Sequence, residues 1–231
     1  MEQRSTCVKI DAVPSRARRS DALTKDRIVA AAIEILDAEG PGALTFRALG
    51  ARLETGSGAI YHHVAGKREL LAAAADAVLG PVLAAPKDSD PRQAIRALAL
   101  RLFDTIDVHP WVAPQLGADP RQPANRLVAE RIGAAVMALD PPEKDLFHAA
   151  SAVESYILGS ASENAANARN HIEPGAPDRE RFLGEIAAEW RALDPGEFPF
   201  LRKIAASMAD HDDREQFLAG LDLILTGIAA L

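Results

Sequence analysis

The sequence predicts an all-α fold, with a small amino-terminal helix-turn-helix unit joined to a larger helical domain. Two observations carry this. Apolar residues recur three and four apart through the long stretches, and no window sustains the period of two that a strand needs. Proline and glycine clusters then cut this pattern into pieces of ordinary helix length. The organisation that follows is a flexible basic tail over residues 1–23, the helix-turn-helix unit over 24–72 and the larger domain over 73–231. No repeat of fixed period is present.

Taken in order, a first helix is expected from Thr24 to about Glu39. Its stripe is Ile28, Ala31, Ala32, Ile35 and Leu36, and Gly40-Pro41-Gly42 stops it. Thr45 suits an N-cap for a second, short helix with Phe46, Leu49 and Leu53 on one face. A third begins at the capping cluster Thr55-Gly56-Ser57 and buries Ile60 and Val64. Lys67-Arg68-Glu69 opens a fourth with Leu70, Leu71, Ala74 and Val78 inward, ending at Gly80-Pro81. Ala84–Pro91, with two prolines and three charges, is the joint that follows. Beyond it, Pro91–Val108 carries Ile95, Leu98, Leu102 and Ile106 and halts at His109-Pro110. A short run about Trp111 precedes a loop of Gly117, Pro120 and Pro123. Further helices are expected over Arg126–Leu139, Glu143–Arg169, Arg179–Leu193, Phe198–Ala209 and Arg214–Ala230.

Composition narrows the class. Nearly half of the 231 residues are apolar, enough for a sizeable core. No apolar run approaches the ~18 residues that span a bilayer. The first twenty residues carry five basic side chains and no apolar stretch, so they do not read as a secretory signal. The one cysteine, Cys7, excludes a disulfide framework, and a cytoplasmic location is the simple reading. The net charge of -7 is unevenly spread: residues 1–80 sum to +1 and the remainder to -8. Within residues 14–27, Arg16, Arg18, Arg19, Lys25 and Arg27 face only Asp21 and Asp26. Phosphate attraction is screened beyond ~8–10 Å, so an acidic distal half does not prevent a basic end from binding DNA. There is no G-x-S-x-G, H-E-x-x-H, P-loop or dinucleotide fingerprint, which argues against a helical enzyme. No cofactor is implied.

Tyr61, His62 and His63 stand in a row on a helix whose Ile60 and Val64 already fill the inward face. Three polar aromatic side chains pointing outward suit the second helix of a helix-turn-helix, which presents side chains to a DNA groove. A metal pair of His62 and His63 is a poor reading, because adjacent helical residues point about 100° apart.

These residues resemble the tetracycline-repressor (TetR) family of transcriptional regulators. The match covers about Asp26 to Ala72. It includes Leu44-Thr45-x-Arg47-x-Leu49 and Ile60-Tyr61-His62-His63-Val64-x-Gly66-Lys67-x-x-Leu70-Leu71, and departs at Glu54-Thr55, where a Gly-Val turn is common. By that resemblance Thr45 and Arg47 lie against the sugar-phosphate backbone, and Thr55, Ser57 and Gly58 present hydroxyls and amides at the start of the recognition helix. Tyr61 and Lys67 would bond phosphate, and His62 and His63 would meet phosphate or a base edge. Ser57, Gly58 and Ala59 are small, so few long bidentate base contacts are available.

The distal half resembles the ligand-binding domain of the tetracycline repressors through Ser151-Ala152-Val153-x-x-Tyr156-x-Leu158-Gly159, Glu163 and Phe217-Leu218-x-Gly220-Leu221-x-Leu223-Ile224. Those repressors carry a glutamate at the Glu163 position near a metal-chelated drug. No histidine lies in Pro81–Pro86, and Ala97 and Leu98 stand where asparagines are found, so tetracycline itself is not implied. One cavity lined by His109, Trp111, Glu154 and Glu163, among Leu102, Phe103 and Phe147, is the expected effector site. His109 also fits a structural role, complementing the end of its helix. His148, His171 and His211 form no recognisable constellation. Two stripes, Leu146, Val153 and Ile157 on one helix and Phe217, Leu221, Ile224 and Ile228 on another, are expected to meet a second copy in a four-helix interface. The bland alternative is that they pack within their own domain. The resemblance implies a ligand-responsive regulator, most simply a repressor that binds a palindromic operator as a homodimer and is released by a small molecule. An architectural or activating DNA-binding protein without an inducer is the alternative.

Overall fold

The computed structural model describes residues 23–84, 89–117, 119–170, 179–209 and 211–231. The basic tail, Cys7 and His171 lie outside these residues. Among the described residues the secondary structure is entirely helical. Three short helices, α1 (Lys25–Glu39), α2 (Phe46–Arg52) and α3 (Ser57–Tyr61), precede the long α4 (Lys67–Ala84). α5 (Pro91–Val108) leads through a 3-10 turn at Pro110–Val112 into α6 (Ala113–Leu116), followed by α7 (Pro123–Met137) and α8 (Glu143–Asn170). α9 (Arg179–Ala192), α10 (Pro199–Ala209) and α11 (Asp213–Ile228) complete the chain.

The caps explain most of the boundaries. Thr24 accepts from Arg27 N–H at the start of α1, Thr45 from Ala48 at α2, Asp90 from Gln93 at α5 and Asp212 from Glu215 at α11. Two limits differ from expectation. α7 begins at Pro123, three residues earlier than read, because a proline suits the first helical turn, where its missing N–H leaves nothing unpaired. α4 does not stop at Gly80-Pro81 but runs on to Ala84. Pro81 removes the hydrogen bond to the carbonyl of Ala77, which is exposed and open to water. One further turn buries Leu83, which contributes roughly 1.5–3 kcal/mol, similar to the ~3 kcal/mol cost of an interior proline.

α4 is the shared beam of the molecule, packing on α1 and on α5, α6 and α7. At its start Glu69 accepts from Lys25 Nζ at 2.8 Å and from the Ala65 amide at 2.7 Å. Lys25 above all, with that amide, holds the Glu69 carboxyl below its usual range. Further along, Asp76 Oδ1 accepts from the Ala124 amide at 2.9 Å and so caps α7 from another helix. The second tie across the domain boundary is made by α1. Asp37 Oδ1 accepts from His109 Nδ1 and from Trp111 Nε1, both at 2.7 Å. His109 is the C-cap of α5 and Trp111 is buried in the turn that follows.

In the distal domain, α5, α7 and α11 surround α8. Phe217 of α11 lies 4.6 Å from Phe103 of α5 and is stacked on Tyr156 of α8 at 5.7 Å, ring centre to ring centre. Tyr156 donates to the Phe217 carbonyl at 2.9 Å. A Cβ on Gly220 would stand 2.1 Å from that hydroxyl, so glycine is what lets α11 approach α8 here. Arg96 pairs with Asp222, Arg214 pairs with Asp104, and Arg92 donates to Thr226 Oγ1 at 2.7 Å, fastening α11 along α5.

The residues expected to face a second copy pack largely within their own domain. Val153, Ile157, Phe217, Leu221 and Ile228 are all buried within their own domain, and Leu146 and Ile224 are half-buried against the same core. The α8 stripe is covered by α5, α7 and α11, and the α11 stripe by α8 and α5. On the same two helices the large apolar side chains left exposed are Phe147 and Leu223, each at 76%. The α9–α10 hairpin packs chiefly on itself, and its buried Leu183, Ala187 and Ala205 lie outside the continuous core.

Replacing Asp37 with Ala strands the buried Trp111 indole N–H. The expected loss is roughly 1–3 kcal/mol in denaturant unfolding. Trp111→Phe, which removes donor and demand together, loses less; equal stability of Asp37→Ala and the parent chain would show the tie to be idle.

Candidate functional site

The reading head is shaped by a close approach between α2 and the turn after it. Leu53 donates to the Leu49 carbonyl and the Thr55 amide to that of Gly50, each at 2.9 Å, which folds the chain back on α2. Glu54 adopts φ 52°, the left-handed region, at a cost of order 1–2 kcal/mol for a residue with a Cβ. The turn therefore forms despite the departure from glycine. Gly50 faces it directly: a Cβ there would lie 2.8 Å from the Thr55 carbonyl oxygen. An isolated glycine within a helical run was the available signal for this contact.

α3 starts at Gly56, with no side-chain cap, so the Thr55-Gly56-Ser57 cluster does not cap as expected. Ser57 Oγ instead reaches back to the Phe46 carbonyl at 3.4 Å, a long contact that turns it towards α2. Thr55, Ser57 and Ala59 are half-buried and Gly58 is exposed. Ile60 and Val64 are buried, while Tyr61, His62 and His63 are exposed. Tyr61, at 56% exposure, lies flat on Phe46, with ring centres 4.2 Å apart and planes within 6°. Phe46 thus holds the tyrosine as an outward platform, a role that the fifteen-residue separation concealed. Thr45 and Arg47 are exposed at the start of α2. Lys67 is exposed too, and its Nζ donates to the Pro41 carbonyl at 2.6 Å. Its ammonium is therefore placed beside the loop after α1, with two N–H groups left for another acceptor.

In the distal domain two cavities meet along the second half of α8. One, of about 570 Å³, lies between α8, the α9–α10 hairpin and the start of α11. The other, of about 390 Å³, reaches Phe103 and Tyr156. Glu163, Asn167, His211, Asp213 and Gln216 line both. Asp213 is engaged by Arg179 at 2.6 Å and by His211 Nε2 at 2.9 Å. Opposite this polar wall stand Phe182, Ile186, Trp190, Ile204 and Met208. Apolar walls facing a few convergent polar groups are the usual composition of a small-molecule site.

The side chains expected to share one cavity are divided. Phe103 and Glu163 reach this one. Leu102 is fully buried in the core, and His109 and Trp111 are engaged by Asp37. Glu154 lines a separate cavity of about 580 Å³ beside Arg126 and Glu130. Nine residues from Glu163, it lies on the opposite side of α8, since nine steps of 100° make two and a half turns. Phe147 stands exposed at the other end of that helix and lines none of these three. Among the described residues no group of His, Cys, Asp and Glu is clustered to hold a metal, and no helix is long and apolar enough to cross a membrane.

Comparison with known proteins gives two family matches. Residues 28–74 match "Bacterial regulatory proteins, tetR family", and residues 83–231 match "Tetracyclin repressor-like, C-terminal domain". An HTH-type transcriptional regulator of Saccharopolyspora erythraea is 33% identical over 220 residues, covering 93% of this chain and 88% of the relative. The structure of the transcriptional regulator SCO7222, a TetR from Streptomyces coelicolor, is 47% identical with a TM-score of 0.80, covering 91% of this chain and 99% of that one. The Streptomyces coelicolor TetR family protein ActR in complex with actinorhodin is 26% identical with a TM-score of 0.74, covering 90% and 96%.

Gly50→Ala forces the turn off α2. A loss of roughly 1–3 kcal/mol in thermal or denaturant unfolding is expected, together with loss of DNA binding. A second prediction concerns Glu154, whose carboxyl burial pushes above its usual value of 4.5. The folded state then holds that proton more tightly than the unfolded chain. The penalty is present at neutral pH and relieved as pH falls through the raised range to 4.5. Glu154→Gln should therefore raise the melting temperature at neutral pH, with the gain vanishing below 4.5; a pH series of melting curves checks this.

Proposed function

The chain belongs to the tetR family of bacterial regulatory proteins, and from that premise we propose that it is a repressor. In this reading it binds a palindromic operator as a homodimer and is released when a small molecule enters the distal domain. The observation that carries the DNA-binding part is the split of α3 and its flank. Ile60 and Val64 are buried while Tyr61, His62 and His63 face outward, with Tyr61 braced on Phe46. Tyr61, Lys67, Thr45 and Arg47 bond the phosphate backbone and set the register. His62, His63 and the small start of α3 (Thr55, Ser57, Gly58, Ala59) meet the groove edges. Two copies place their heads about one helical turn (~34–36 Å) apart.

The self-association surface in this reading is the outward face of α8 and α11. Phe147 and Leu223 are its exposed apolar positions, and Gly159 and Gly227 are its open glycines, where helices can approach closely. The effector site is the pair of joined cavities around Glu163, His211 and Asp213. Support for a small-molecule effector comes from the similarity to ActR in complex with actinorhodin, and for repression from the repressor-like match over residues 83–231. An effector that binds the state with mismatched heads more tightly weakens DNA binding, and DNA weakens effector binding by the same factor.

Selection of bound duplexes from a random pool tests the reading. A palindromic winner, released by a compound that binds the distal domain, is expected; a sequence without twofold symmetry, or no selection at all, refutes it. On the selected duplex, Tyr61→Ala and Lys67→Ala should weaken binding across all sequences, and Lys67→Ala should reduce the salt slope by about one. Leu223→Glu should yield monomers in sedimentation and lose operator affinity.

A further inference from the structure

Of the six histidines in the chain, His62 and His63 stand side by side at the end of α3. The others that the structure describes are committed within the protein. His109 is held by Asp37 at 2.7 Å, His211 by Asp213 at 2.9 Å, and His148 lies edge-on to Phe147. Among the described residues the His62 and His63 side chains take part in no hydrogen bond, ion pair or ring contact, and both are exposed. The charged groups on the elements around them are engaged elsewhere or stand apart. Arg52 on α2 is paired with Glu34, and Glu69 at the start of α4 with Lys25. Lys67 donates to the Pro41 carbonyl. Arg47 on α2, Glu54 in the turn before α3, Tyr61 on α3 and Arg68 on α4 complete the set. Neither Glu54 nor Glu69 pairs with an imidazole.

Residues 24–72 hold six Lys and Arg against six Asp and Glu, so the reading head carries no net charge until a histidine takes up a proton. Protonating both rings therefore decides its sign. Imidazole is the side chain whose charge changes between about pH 5 and 8. A duplex carries one negative charge per ~1.7 Å of its axis, and an anion within ~4–6 Å favours the imidazolium. With no acid of the protein beside it, each ring meets its first counter-charge on the DNA. We propose that operator binding is coupled to proton uptake at His62 and His63, so that the reading head holds DNA more tightly as the surroundings acidify. The inference rests on the DNA-binding reading above. The bound state keeps these protons more firmly than the free state. The added affinity is therefore full in acid and falls away as pH rises through the imidazole range. The lysines and arginines of the head stay charged throughout that range and contribute no such slope.

The test uses the full chain and duplexes selected separately in acid and in alkaline buffer, with affinity measured from about pH 5.5 to about pH 8.5 at fixed ionic strength. An affinity gain of about tenfold for each imidazole is expected from the alkaline to the acid end. The slope of log K against log salt should be steeper in acid by about 0.9 for each. His62→Gln and His63→Gln keep a donor without the charge. Each should remove about half of the gain in log K, and the double variant all of it. Replacing both rings by lysine (His62→Lys, His63→Lys) should give binding at the alkaline end that matches the parent in acid. Melting curves of the free variants should be unchanged, since both side chains are exposed, which separates these effects from folding. Affinity flat in pH on a duplex that does bind, or a gain that survives in the double Gln variant, overturns the inference and leaves the DNA-binding reading intact. No duplex selected in either buffer overturns that reading, and the inference with it.

Discussion

One carboxylate oxygen on α1 receives two donors from the far side of the domain boundary. Asp37 Oδ1 takes the His109 imidazole and the buried Trp111 indole, and so ties α1 to the end of α5 and the turn after it. A buried indole N–H without an acceptor is costly, so this tie is not optional while Trp111 stays inside. Asp76 adds a second link by capping α7 from α4. Lys25–Glu69 and Lys67–Pro41 bind the start of α4 to α1 and its following loop. Asp37 and Asp76 add polar ties to the apolar packing of α4 on α5, α6 and α7.

Within the distal domain a parallel constraint decides which surfaces remain for other molecules. The Phe103, Phe217 and Tyr156 rings and the bare Gly220 draw α11 onto α8 and α5. The most regular apolar stripes are consumed there, and Phe147 and Leu223 are left on the outside. The α9–α10 hairpin stays apart from this core, and an amphipathic space lies between it and α8 beside Glu163.

Local chemistry made much of this legible beforehand. Thr24 and Thr45 announced helix starts through short-range capping, and the Ile60–Val64 spacing announced which face of α3 turns inward. The outward Tyr61, His62 and His63 followed from that same spacing. Periodicity gave every helix of the distal domain to within about three residues, because helical hydrogen bonds and side-chain facing are settled within a few positions along the chain. The misjudged stop at Pro81 lies at the edge of that logic, since the burial of Leu83 one turn later depends on α5 and α7.

What the chain determined by itself is therefore the series of helices, the inward and outward faces of the reading head, and the family to which it is similar. Tertiary structure alone decided which apolar stripe is interior and which is free, because a stripe does not state what covers it. It also decided that His109 and Trp111 serve Asp37, that Glu154 and Glu163 open on opposite sides of α8, and that Tyr61 rests on Phe46. Each of those outcomes joins residues far apart in sequence, where contact is set by how helices pack and not by any local preference.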